Sequence, residues 1–516
     1  MFNDKLYFIL EKKELKDTLL LMPSFATWLK QSKIEEISIN LNNIFEFFIA
    51  FFATSSLNIK CHINSDFGYI LDDESFKKIE LKKTDEKIVI NENFNFFVRT
   101  SGSTAKSKSI QKSIKQMFSE AKALNDFLNL KDINFYSSVS HLHLFGLTFK
   151  VFLPLISGGK VYSAVLNYPE SLYEIDFKNS IYITSPTILN VISKHDDLPN
   201  LSELKLMITA GSKLKERVRS ELLDKFKVDI MEIYGSSESG VVARNFGSGF
   251  ELFDNVSVSI TKENQLLISS PWCDEFLSSD TGRVDGKKLT LFGRADRIIK
   301  LNDFRFYLDE AEEWLDTHKF VKDAKCALLD DNTRVKTLIS LSELGKKEFL
   351  KGGKKAITTE LKSFCRDKFK TNLRHFKIVE EIRYNQNGKF SKNEFLSSFK
   401  NYKKPLLKRV DEKSSNGEYK FESYMSEELF FYEGHFNNYP ITPGFIELGL
   451  IYDALNELGF DIDDIKAIKN IKFTALLRPF ERITLTLKQD KNRVECKIEG
   501  KTRYASARVV FREQDE

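Results

Sequence analysis

The chain has 516 residues, of which 42% are hydrophobic and 29% charged, with a formal net charge of +4. That length exceeds what one hydrophobic core can organise and asks for roughly two to four domains. The composition excludes wholesale disorder, and the near-neutral balance gives no electrostatic case for nucleic acid.

Asp4, Glu11 and Glu14 stand among the N-terminal lysines, and no small-residue cleavage site follows, so the start does not read as a signal peptide. The strongest apolar run, Ile44 to Ala53, is interrupted by Glu46. It is about half the length of a spanning helix, which predicts a buried Phe-rich helix and no membrane insertion. Five cysteines (Cys61, Cys273, Cys326, Cys365 and Cys496) lack CxxC spacing, against structural zinc or a disulfide framework and for a reducing compartment. A cytoplasmic protein is expected.

Next comes Phe97-Val98-Arg99-Thr100-Ser101-Gly102-Ser103-Thr104-Ala105-Lys106-Ser107-Lys108, an apolar run ending in a hydroxyl- and glycine-bearing loop. Gly102 permits a tight turn, Ser101, Ser103 and Thr104 offer donors, and Lys106 or Lys108 supplies charge, as a triphosphate tail requires. A plain surface turn is the alternative reading of this stretch alone. Ile181–Thr184 and Leu204–Thr209 read as short strands, and Glu216 to Phe226 as a helix with Val218, Leu222 and Leu223 inward and its charges outward. This alternation over 1–293 favours an α/β assembly. A smaller α+β unit follows over 295–400, with helices at 309–317 and 358–369 and a strand at 327–329. A polar linker at 401–417, containing Ser414-Ser415-Asn416-Gly417, marks a second boundary. After Gly444 the helix bearing Phe445, Ile446, Leu448, Leu450, Ile451 and Leu455 is apolar on more than one face, as at a subunit interface.

The loop at 97–108 resembles the phosphate signature of the adenylate-forming superfamily, which includes acyl-CoA and acyl-carrier-protein synthetases. Further motifs follow in that family's order. His141-Leu142-His143-Leu144-Phe145-Gly146 with Pro154 to Gly159 resembles the acyl-pocket segment, and Ala210-Gly211-Ser212-Lys213-Leu214 the adenine loop. Tyr234-Gly235-Ser236-Ser237-Glu238 is similar to the aromatic-Gly-x-Thr-Glu motif, with Ser for Thr. Ser278-Ser279-Asp280, Gly293 to Lys300, and Asn387-Gly388-Lys389 resemble the ribose, hinge and late-lysine segments.

The resemblance implies ATP and Mg²⁺ as cofactors. Thr100, Ser101, Gly102, Ser103, Thr104 and Lys108 would hold phosphates; Gly211, Tyr234, Gly235 and Ser237 would line the nucleotide site, with Tyr234 on adenine. Glu238 would ligate Mg²⁺, a task for a hard oxygen ligand. Asp280 would accept from the ribose hydroxyls, Arg294 would contact ribose or phosphate, and Lys389 would meet the α-phosphate and the substrate carboxylate. His143 and Gly146 would line the acyl pocket, with His141 structural, and Asp296 would be the hinge of a mobile small domain. Ala105 and Ser107 replace the family's Gly and Pro in the phosphate loop, and Asp303 replaces a Gly where the pantetheine thiol approaches, which implies a difference in thioester formation or its partner.

Phe430-Phe431-Tyr432-Glu433-Gly434-His435-Phe436-Asn437-Asn438-Tyr439-Pro440-Ile441-Thr442-Pro443-Gly444 resembles the hot-dog 3-hydroxyacyl-carrier-protein dehydratases. His435 fits their base. Their acidic position is Gly449 here; Glu447 lies about 200° away around a helix, and Asp453, one turn on, is expected to replace the acid. The whole is expected to be an α/β and α+β multidomain chain: an adenylate-forming large domain (1–293), a small mobile domain (295–400), a linker (401–417) and a hot dog (418–516). Its implied function is activation of a fatty or aryl acid and transfer to a carrier-protein phosphopantetheine or CoA thiol, with a fused dehydratase and dimerisation through the hot dog. The alternative keeps the synthetase but makes the hot dog a non-catalytic dimerisation and docking module, or a thioesterase.

Overall fold

The protein is described from a computed structural model covering residues 5–100, 108–195, 198, 201–301, 304–328, 335–369, 373, 375–382, 384, 390, 392–399, 404–410, 417–432 and 439–512. It forms two compact units; the chain passes from the first to the second between Ala295 and Asp296, and Tyr384 groups with the first.

The first unit is built on two sheets. In the thirteen-stranded sheet, Ile230–Ser236, Leu204–Thr209, Ser180–Thr184, Ile133–Ser137, Gly159–Val161 and Tyr7–Phe8 run parallel as neighbours. Such strands are covered on both faces, which is why Ile181, Tyr182 and Ile183 form a continuous apolar run. The five-stranded sheet orders Tyr69–Asp72, Glu36–Asn40, Lys60–Ile63, Asn95–Thr100 and Lys108–Ser113, with only the last pair antiparallel.

The apolar run becomes the helix Ile44–Ser56, capped by Asn43, whose side chain accepts from the Glu46 N–H. It joins the two sheets: Phe48 meets Phe8 edge-on at 5.1 Å, and Phe51 meets Phe96 at 5.0 Å. Glu46 falls in its first turn, where a carboxylate suits the helix dipole. The strand Leu204–Thr209 and the helix Glu216–Phe226 have the bounds read from the sequence. One detail differs. Arg219 does not face outward; it is 1% exposed and pairs with Glu232 at 3.1 Å.

Lys150 is fully buried and donates to the carbonyls of Ser163 and Ala164 at 2.8 and 3.2 Å. Burial pushes its ammonium down to about 7. The unfolded chain therefore binds the extra proton from about pH 7 up to the ordinary lysine range, and stability rises with pH across that window. Relative to a Lys150→Met variant, the thermal midpoint of the wild type is expected to climb between pH 7 and 9. A constant difference between the two would mean that Lys150 titrates like a solvated lysine.

The second unit begins with the hairpin Ile298–Leu301/Phe304–Tyr307 and the helix Leu308–Asp316. Val321–Leu328, Val335–Leu341 and His375–Val379 make a three-stranded sheet. The helical segment Glu343–Phe369 is interrupted at Gly353, whose φ of 64° is one that glycine tolerates. The remainder is a six-stranded antiparallel sheet in the order Lys408–Arg409, Glu418–Tyr424, Arg482–Asp490, Arg493–Glu499, Arg503–Phe511, Ile465–Phe473, with the helix Gly444–Glu457 sharing its core. Lys408–Arg409, inside the segment read as linker, is an edge strand of this sheet.

The three-stranded and six-stranded parts are held together by specific contacts. Glu428 accepts from Lys354 Nζ at 2.7 Å and from the Ile378 N–H at 2.8 Å. Arg478 donates to the Leu350 carbonyl, Arg482 pairs with Glu380, and Phe349 meets Phe480 edge-on at 5.2 Å. All five cysteines are buried and free. No described helix is long and apolar enough to cross a membrane.

Candidate functional site

Asn95–Thr100 and Lys108–Ser113 are antiparallel partners with Thr100 opposite Lys108, and Thr100 Oγ1 donates to the Lys108 carbonyl at 3.2 Å. Ser101, Gly102, Ser103 and Thr104 lie outside the described residues.

Thr209 and Glu232 are paired on adjacent parallel strands, and two residues beyond each stand Gly211 and Tyr234. Gly211 has φ +100°, and a Cβ there would meet nothing within 4 Å, so open space adjoins bare backbone. The following loop is anchored where the Leu214 N–H donates to Glu232 Oε1 at 2.7 Å. Tyr234 is half-buried, and its hydroxyl donates to Asp280 Oδ2 at 2.8 Å. Burial, then the neighbouring Asp280 charge, pushes the Tyr234 phenol up, so it keeps its proton as a donor. Asp280 in turn stands opposite Arg294 across the antiparallel strands Cys273–Asp285 and Lys288–Arg294. Tyr234, Asp280 and Arg294, far apart in sequence, thus come together.

Gly235 pairs with Val241 one step inside the closing Ser236–Gly240 pair of the hairpin; a Cβ there would lie 2.1 Å from the Gly240 carbonyl oxygen. Ser237 and Glu238 occupy the turn and are half-buried. Among the described residues no three His, Cys, Asp or Glu side chains cluster as a metal site. Glu238 supplies a hard oxygen donor in this turn, the ligand type that magnesium takes together with phosphates and water.

His143 precedes the short helix Leu144–Gly146 and is half-buried, with burial lowering its pKa. Gly146 is required sterically, because a Cβ would sit 2.1 Å from the Ser140 carbonyl oxygen. His141 is 1% exposed, with Nε2 2.9 Å from the Leu41 carbonyl, and burial takes it down to about 3. A neutral histidine so enclosed is a packing element. Asp296 lies in the single turn Ala295–Arg297 at the boundary between units, beside Arg297, which pairs with Asp309 and Glu312.

In the second unit the acidic residues fall differently from expectation. Asp453 is partly exposed and pairs with Lys404 at 2.6 Å. Glu447 is 3% exposed, and its Oε2 is buried with no hydrogen-bond partner among the described residues. The physical reason is helix phase. The buried face of Gly444–Glu457 runs Glu447, Leu450, Ile451, Ala454, Leu455; Asp453 stands about 120° off that stripe. Burial pushes the Glu447 carboxyl up to about 7. Nearby, the Tyr432 hydroxyl and Thr442 Oγ1 are hydrogen-bonded at 2.8 Å. Glu447 was legible as the lone acid in the apolar stretch 444–451, but counting helix phase from position 449 and not from the apolar stripe set it aside. Lys389 and His435 lie outside the described residues.

Comparison with known proteins agrees with this layout. The AMP-binding enzyme family matches residues 59–263, and the ApeI dehydratase family matches 411–508. The ATP-bound MatB structure from Rhodopseudomonas palustris is similar at 13% identity and TM-score 0.64, covering 76% of this chain and 95% of that one. O-succinylbenzoate coenzyme A synthetase from Bacillus subtilis, solved with ATP and magnesium ion, is similar at 15% identity and TM-score 0.62, covering 75% and 95%. Anthranilate CoA ligase AuaEII with anthranoyl-AMP is similar at 15% identity and TM-score 0.60, covering 77% and 94%. The chain therefore joins an AMP-binding enzyme domain with the adenylate-forming fold to an ApeI-like dehydratase domain.

Proposed function

We propose that the protein activates a fatty or aryl carboxylic acid with ATP, transfers the acyl group to a phosphopantetheine thiol, and dehydrates a 3-hydroxyacyl thioester in its C-terminal domain. The observation that carries the first part is the convergence of Tyr234, Asp280 and Arg294 beside the open backbone at Gly211. In that reading Tyr234 covers adenine, Asp280 accepts from ribose hydroxyls, and Arg294 adds positive charge. Thr100 to Thr104 and Lys108 hold phosphates, with Gly235 and Ser237 shaping the turn and His143 and Gly146 the acid pocket. Magnesium held by Glu238 would neutralise charge on the phosphates.

The substrate carboxylate attacks the α-phosphorus, pyrophosphate leaves, and Lys389 balances the charge gathering on the phosphoryl oxygens. The thiol then displaces AMP from the acyl group, after rotation about Asp296. The names of the structural relatives include anthranilate and O-succinylbenzoate ligases, which makes aryl acids the first to try. A carrier-protein thiol is favoured over free CoA because the fused dehydratase-like domain belongs to carrier-bound chemistry, as in aryl-polyene or fatty-acid-like synthesis. The setting is cytoplasmic. The deciding experiment is ATP–pyrophosphate exchange over a panel of aromatic, fatty and hydroxy acids; exchange that no acid stimulates would overturn the reading.

In the C-terminal domain, His435 takes the α-proton while an acid protonates the departing β-hydroxyl, giving an enoyl thioester and water. Glu447, rather than Asp453, is the acid in this proposal. Two copies pair through the edge strand Ile465–Phe473, on which Ile471 and Phe473 are 42% and 49% exposed, with Leu476 beyond at 56%. An unpaired edge with exposed apolar side chains is a template for a second copy. Phe473→Glu combined with Leu476→Lys is expected to convert a dimer into a monomer by sedimentation velocity. A dimer of unchanged stability would place the interface elsewhere.

A further inference from the structure

Two buried charged side chains with no role so far support the turn that carries Glu238. Lys112 is 4% exposed and lies in Lys108–Ser113, the strand that follows the phosphate loop. Its ammonium donates to the Glu238 carbonyl at 2.7 Å and to the Trp272 carbonyl at 3.3 Å. Glu120, 3% exposed on the helix Ile114–Leu128, accepts from the Val241 N–H at 2.7 Å through one oxygen. Its other oxygen accepts from Thr148 Oγ1 at 3.0 Å. Thr148 belongs to Leu147–Phe152, which continues directly from Gly146.

Burying charge is costly unless it is matched, and apolar side chains would fill the same volume without that cost. Here each group holds backbone of the hairpin end, Lys112 the carbonyl of Glu238 within the turn and Glu120 the N–H of residue 241 just after it. The fit leaves no slack. Gly240 has φ +67°, and a Cβ there would lie 2.6 Å from Glu120 Oε1 and 2.7 Å from Trp272 Cδ1. Burial pushes the Glu120 carboxyl up, while Lys112, the Val241 N–H and Thr148 oppose that shift.

We propose that Lys112 and Glu120 are positioning residues that fix Glu238 for magnesium and tie it, through Thr148, to the acid-pocket helix. The inference rests on the assignment of Glu238 as the magnesium ligand. A residue fixed at its carbonyl has less freedom at its carboxylate, so the metal meets a preorganised oxygen. Supporting groups of this kind typically contribute about 10- to 100-fold in metal affinity.

The test is calorimetric binding of ATP to the full chain, once in EDTA and once in excess magnesium, so that no turnover is read. The wild type is expected to bind more tightly with magnesium, and Glu238→Gln to lose that gain. Lys112→Met and Glu120→Gln are expected to lose about tenfold of the gain while keeping the affinity seen in EDTA. Lys112→Arg, which keeps a donor, should recover most of it. Thr148→Val, a milder change, reads the same difference should Lys112→Met fail to fold. Equal losses with and without magnesium would reduce these residues to general support and overturn the proposal. A gain lost in Glu238→Gln but kept in Lys112→Met and Thr148→Val would overturn it alone. A gain kept in Glu238→Gln would overturn the metal assignment and this proposal together.

Discussion

The Lys389→Ala variant is expected to lose carboxylate-dependent ATP–pyrophosphate exchange by about three orders of magnitude or more while keeping its unfolding midpoint. Losing one preorganised neutral donor at a developing oxyanion costs about 10²–10³-fold. A lysine supplies a full charge, and adenylation gathers negative charge on phosphoryl oxygens with little covalent help from the protein. The sequence Asn385-Gln386-Asn387-Gly388-Lys389 is polar, and the substitution adds no bulk. The check is initial-rate exchange at saturating ATP, with calorimetric nucleotide binding alongside. Near-normal exchange would remove Lys389 from the mechanism. Lost exchange together with lost nucleotide binding would assign it to ground-state affinity instead.

The second large effect is expected in the C-terminal domain. Glu447→Gln should lower hydration–dehydration of a 3-hydroxyacyl carrier protein by about 10²–10⁴-fold, the range for losing a positioned acid. Asp453→Asn should leave it within a few-fold. The physical distinction is environment: Glu447 is buried with an oxygen that has no partner among the described residues, whereas Asp453 is held by Lys404 at 2.6 Å. A carboxyl held up to about 7 is still substantially protonated at neutrality, as a proton donor must be. The same shift has a sign for stability. Because the folded value is the higher one, the stabilising contribution is full below the ordinary glutamate pKa and is lost as pH rises towards 7. Glu447→Gln should therefore gain stability over the wild type at pH 8 but not at pH 4, by thermal melting. Loss of activity with Asp453→Asn alone would restore the assignment made from sequence. Absence of dehydration in the unmodified protein would favour a docking module.

The fold was largely legible because its strongest signals are local. Leu204–Thr209 and Glu216–Phe226 follow from apolar periodicity, and the helix Ile44–Ser56 from the Phe-rich apolar run Ile44 to Ala53. Motif residues such as Tyr234 and Asp280 could be singled out in sequence, but their 2.8 Å contact could not, since it depends on strand order in a thirteen-stranded sheet. Arg219, Lys112 and Glu120 were hidden for a shared reason. Each is a charged residue, which by type alone reads as solvated, yet each is buried against a partner on another element; Glu120 even falls on the apolar stripe Ile114, Met117, Ala121, Leu124. Glu447 was passed over for another reason: helix phase was counted from position 449 and not from the apolar stripe Leu450, Ile451, Ala454, Leu455, onto which Glu447 falls.

The contacts of Glu428 have a mechanical meaning. This one carboxylate grips Lys354 beyond the Gly353 kink and the backbone of Ile378 in the three-stranded sheet, so the small subdomain and the hot dog share a bolt. Torque arising at Asp296 would then be delivered to the whole second unit, and the hot dog would travel as ballast. In a pair joined along Ile465–Phe473, two such units would be mounted on a common axle, and a swing in one copy would be felt as load by the other.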